Sequence, residues 1–143
     1  MKKRTVRQVR DPMACITKRM PLADDQTRDL GIAYHVSLQA MLSGRGSEQA
    51  WSTVACTLNI AMLLAEDGIE AAALPTILIA QEALLRVRER AQRTSKWAFD
   101  GDGIRVILAA INIHDEQISR ATRGKIVAAL EELHRRVMIG EVL

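Results

Sequence analysis

Trp51, Val54, Leu58, Met62 and Ala65 follow one another at intervals of three or four residues, and Ala55, Ala61 and Leu64 widen the same apolar stripe. A stripe of that width is one face of an α-helix and does not suit the two-residue alternation of a strand. The pattern returns in four further stretches, so the chain must bury five helical faces at once. Phe99, Tyr34, Trp51 and Trp97 are the only aromatic residues, whereas Ala, Leu, Ile and Met abound, a balance that favours helices packed through aliphatic side chains over a sheet. The expected fold class is all-α: an antiparallel bundle of about five long helices, with a short N-terminal helix and a basic N-terminal arm.

Stop and start signals divide the stretches. Asp11-Pro12 separates residues 1–11, a flexible arm, from residues 12–143, read as a single helical domain of ordinary size and composition. Met13, Ile16 and Met20 have the spacing of a short helix that ends at Pro21 and lies across the bundle. The first long helix opens near Asp24 or Asp25 and runs to about Ser43, with Leu30, Tyr34, Leu38 and Met41 or Leu42 inward. Ser47 caps the second, which Gly68 ends. The third begins between Glu70 and Pro75 and extends to about Thr94 through Leu74, Ile77 or Leu78, Leu84 or Leu85, and Val87. A connection carrying Trp97 and Phe99 folds back onto the core. The fourth helix, Asp102 to Ile118, places Ile104, Ile107, Leu108, Ile111 and Ile118 inward, and Thr122 caps a fifth carrying Ile126, Leu130, Leu133 and Val137 before Gly140.

Charge is distributed unevenly. Met1 to Arg10 holds Lys2, Lys3, Arg4, Arg7 and Arg10 with no acid among them, and subtracting these five cations from the net charge of +3 leaves −2 on the rest. Clustered cations release condensed counterions when they meet phosphates, so DNA or RNA is a candidate partner, and a solvated tail is the alternative. Arg86, Arg88, Arg90, Arg93 and Lys96 form a second cluster at the end of the third helix, where cations also complement the helix dipole. Arg120, Arg123 and Lys125 stand around the start of the fifth, where dipole logic disfavours them.

Reaction chemistry is sparse. His35, His114 and His134 are never three or four residues apart, so no single helix can present two of them to a metal; no metal and no cofactor are expected. Asp100-Gly101-Asp102-Gly103 reads as a turn with a capping aspartate, because the apolar residues after it supply neither further oxygen ligands nor the closing glutamate of a calcium loop. Cys15 and Cys56 lie far apart in apolar helical contexts and read as buried free thiols of a reducing cytoplasm. The densest polar group is Asn112, His114, Asp115, Glu116 and Gln117. His114 and Asp115 could form an acid–base site, but neighbours on a helix point about 100° apart, and a buried polar link that fixes helix register is the structural alternative. No apolar run spans the roughly 20 residues that a membrane helix needs, and no secretory core follows the basic start.

Met1-Lys2-Lys3-Arg4, Asp11-Pro12-Met13-Ala14, Met20-Pro21-Leu22, His35, Leu58-Asn59 with Ala61, and His114-Asp115 with Gln117 resemble a group of small helical proteins with a basic N-terminus carried by proteobacterial genomes and prophages. The resemblance implies no catalytic residue and no ligand; the prophage association implies a regulator or host-interaction protein over a metabolic enzyme. The expectation is thus a noncatalytic accessory protein that contacts nucleic acid through Lys2, Lys3, Arg4, Arg7 and Arg10. The alternative is a module or inhibitor that binds a host or phage protein. Helical stripes this apolar also suggest a homodimer.

Overall fold

The stretch from Glu48 to Glu66 is too apolar to be a surface helix: twelve of its nineteen residues are buried, which places it at the centre with other helices around it. The computed structural model describes residues 24–140, and within them the chain is all-α. Helix α1 spans Asp24–Leu42, α2 Glu48–Glu66, α3 Leu74–Thr94, α4 Gly101–Arg120 and α5 Arg123–Met138, with a single 3₁₀ turn at Ala71–Ala73. All four other helices pack against α2, and α3 and α4 also pack against each other. The proposed Pro12–Met20 helix, Cys15 and the side chain of Leu30 lie outside the described residues.

Side-chain contacts reveal the directions. Trp51 Nε1 donates to the Leu84 carbonyl at 2.9 Å and Gln81 Nε2 to Asn59 Oδ1 at 3.0 Å, so α2 and α3 run antiparallel. Cleft residues Trp51 and Ala55 meet Leu133 and Val137, while Asp67 meets Lys125 at the other end, so α5 is antiparallel to α2 as well. One core, from Tyr34 on α1 through Leu58, Ile77 and Ile107 to Leu133 on α5, draws on every helix. Ile118, Ala121 and Ile126 form a smaller cluster under the α4–α5 corner.

Ser47 and Thr122 cap α2 and α5 by accepting from Ala50 N and Lys125 N. The capping aspartate of α4 is Asp100, whose side chain accepts from Gly103 N, and the helix starts at Gly101. The side chains of Asp24 and Asp25, the aspartates expected to cap α1, lie outside the described residues. Ile77 and Leu84 face inward, while Leu78 is exposed and Leu85 half-buried. Leu108, Leu130 and Val137, expected inside, are exposed; α5 has only α2 as a major partner, so its stripe is wider than the surface available to cover it. Cys56 is likewise exposed, a free thiol beside Leu133 and Val137, and desolvation there pushes its pKa up. Trp97 and Phe99 do fold the α3–α4 connection onto the core.

Candidate functional site

Tyr34 and His35 are neighbours on α1, so their side chains diverge: Tyr34 is buried and His35 exposed. Both still reach Asp115 on α4, eighty positions away in the chain. The Tyr34 hydroxyl donates to Asp115 Oδ1, and His35 Nε2 lies 3.0 Å from each carboxylate oxygen. Burial, reinforced by the hydrogen bond to Asp115, drives the Tyr34 pKa well above its ordinary value, so the phenol remains a proton donor throughout the physiological range. The carboxylate therefore links α1 to α4 while facing partly toward solvent.

One residue earlier, His114 turns inward and is 3% exposed. Its Nδ1 lies 3.1 Å from Gln117 Oε1, and Gln117 Nε2 donates to the carbonyls of Ala61 at 2.9 Å and Ile69 at 3.0 Å. With both amide hydrogens of Gln117 committed to carbonyls, Oε1 must accept, so His114 Nδ1 carries the proton and Nε2 has a lone pair. Burial lowers the His114 pKa, which keeps the ring neutral. The Tyr34 ring meets it edge-on with centroids 5.3 Å apart. His114 and Asp115 are thus directed to different partners. The buried polar link expected on α4 is present, but it is made by His114 and Gln117, while Asn112 and Glu116 are exposed.

The same corner holds the α2–α3 connection, whose backbone turns through left-handed conformations at Gly68 and Glu70. Gln117 fixes the Ile69 carbonyl, Arg120 pairs with the Glu70 carboxylate, and Lys125 pairs with Asp67 at 2.7 Å. Two cations of the group around the α5 start, misplaced by dipole logic, thereby neutralise acids at the end of α2 and just beyond it. Further along α5, Arg136 bridges Glu66 and Glu132, and Arg135 and Arg136 together hold the Glu132 carboxyl down at about 2.

The cations at the end of α3 have internal uses too. Arg86 pairs with the capping Asp100 at 3.2 Å, Arg88 stacks 5.3 Å above the Trp51 ring, and Arg90 donates to the Ala98 carbonyl at 2.5 Å. Arg86 and Arg90 fasten the α3–α4 connection and Arg88 packs on α2, while Arg93 and Lys96 are exposed. Lys2, Lys3, Arg4, Arg7 and Arg10 lie outside the described residues. Among the described residues no group of three or more His, Cys, Asp or Glu side chains could hold a metal ion, and no helix is long and apolar enough to cross a membrane.

Sequence reasoning named His114, Asp115 and Gln117 but did not connect them to Tyr34 and His35. The available signal was a tyrosine followed by a histidine on a helix whose inward stripe passes through the tyrosine, and it carried no information about which helix would lie opposite. Compared with protein-family models, with curated proteins and with solved structures, the chain matches none.

Proposed function

We propose that the protein is a noncatalytic accessory or regulatory protein of the mobile-element kind, working in the cytoplasm as a homodimer and contacting nucleic acid through its N-terminal arm. Lys2, Lys3, Arg4, Arg7 and Arg10 make the phosphate contacts. The observation that carries this reading is the charge asymmetry: five cations without an acid stand ahead of a remainder whose formal charge is −2. The internal partners of Arg86, Arg88 and Arg90 support it, since these body cations are already engaged within the fold.

Five phosphate contacts give a plot of log affinity against log salt a slope of about −4 to −5, which suffices for nonspecific binding but not for reading a base sequence. Removing Met1 to Arg10 abolishes binding to duplex or single-stranded DNA at low salt and leaves the helical circular dichroism unchanged. Undiminished affinity in the truncated chain overturns the proposal, and sedimentation tests the dimer separately.

A second reading, a module that binds a host or phage protein, is favoured by a specific feature of the surface. Ile32, Val36 and Leu108 are exposed along an open groove between α1 and α4 of about 560 Å³. Copurification from the native cell separates the two: a partner that survives nuclease treatment, together with no affinity for nucleic acid, favours the module.

A further inference from the structure

On the other flank of α1, a smaller cleft opens where four helices meet. Tyr34 from α1, Ile60 from α2, His114 and Ile118 from α4, and Ile126 and Leu130 from α5 line it, and its volume is about 130 Å³. An apolar cavity of roughly 150 Å³ accommodates a benzene ring, so the space fits one small aromatic molecule.

The hydrogen-bonding character of the wall is one-sided. Thr53 and Thr57, which also line the cleft, donate their hydroxyl hydrogens to the carbonyls of Gln49 at 3.1 Å and Thr53 at 2.8 Å on their own helix. The Tyr34 hydroxyl donates to Asp115. The side-chain donors of the wall are thus already committed. His114 is the exception among the polar groups: with Nδ1 bonded to Gln117, its Nε2 is an acceptor that makes no hydrogen bond among the described residues. A donor that enters the cleft finds in His114 Nε2 an acceptor that no described residue uses. The lining carries no charged side chain, so an anionic ligand would lose hydration without compensation.

We propose that this cleft is a binding site for a small neutral aromatic molecule with one hydrogen-bond donor, a phenol or an indole, whose ring lies among Ile60, Ile118, Ile126 and Leu130 and whose O–H or N–H donates to His114 Nε2. The test of this site does not involve nucleic acid.

Phenol, indole, toluene and benzoate are titrated separately into the isotopically labelled full chain and followed by nitrogen and amide NMR. Phenol and indole shift the amides of cleft residues and move the His114 Nε2 resonance, with dissociation constants on the order of 1 mM or tighter. Toluene binds about tenfold more weakly, as expected for one lost hydrogen bond, and benzoate does not bind. Ala33 is exposed at the mouth of the cleft, so Ala33→Trp fills the entrance from a position that bears little of the core, and it weakens phenol binding at least about tenfold with circular dichroism unchanged. The proposal is overturned if neither phenol nor indole shifts cleft amides, if Nε2 does not move when they do, if toluene or benzoate binds as well as phenol, or if Ala33→Trp binds phenol normally.

Discussion

Gln117 is fully buried and satisfies three groups with one side chain: the carbonyls of Ala61 and Ile69 and the Nδ1 of His114. Replacing it with an apolar residue of similar size strands all three in a site that water reaches poorly. Gln117→Leu should therefore lower the unfolding free energy by about 2–4 kcal/mol in urea titration, and a loss below about 1 kcal/mol would mean the link is dispensable. His114 gives the same site a pH signature. Burial holds its folded pKa below the ordinary 6.5, so on acidification the unfolded chain takes up the proton first. This contribution to stability is fully present above pH 6.5 and is lost as pH falls from there through the folded pKa, with a slope of at most about 1.4 kcal/mol per pH unit. Denaturation midpoints between pH 7.5 and about 5 should show that decline, and His114→Asn should remove its share.

Among the elements, the connections are more tightly specified than the helix surfaces they join. A Cβ added at Gly46 would sit 2.0 Å from the Trp97 carbonyl oxygen, so the α1–α2 turn closes only because glycine lets the α3–α4 connection pass beside it. Gly46→Ala must displace backbone and should cost about 2–3 kcal/mol, whereas Gly101→Ala, at the start of α4 with nothing within 4 Å of the added carbon, should be neutral or stabilise by about 0.5 kcal/mol. Thermal melts of the two variants check the contrast, and equal effects would refute it. Ser47 and Thr122 were legible as caps because each precedes a periodic run directly. For α4 the spacing offers a capping aspartate without distinguishing Asp100 from Asp102, and the choice is settled only where Gly103 N donates to the first.

For the whole molecule, the decisive fact is that α2 packs against all four other helices while α5 has only α2 as a major partner. The ion pairs that add to the α5 docking, Lys125–Asp67 and Arg136–Glu66, are partly exposed and contribute little. Stability should accordingly be graded across the fold. In native-state hydrogen exchange, amides in the middle of α2 should open only with global unfolding, and those of α5 should exchange through local opening at least about tenfold faster. Equal protection of the two helices would show that the chain opens as one unit.

Helix number, helix order and most of the inward residues were readable from spacing, because burying a face requires apolar side chains every three or four residues whatever lies opposite. The Ser47 and Thr122 caps and the terminating glycines were readable for a similar reason, since they act on backbone within a few positions. The partners of those faces were not. Asp115 meets Tyr34 and His35, Gln117 reaches the α2–α3 connection, and Leu130 and Val137 remain exposed, all because of how four helices share one central neighbour. Periodicity records that a residue faces a neighbour, and only the packed arrangement decides which neighbour it meets and whether there is enough of it to cover the face.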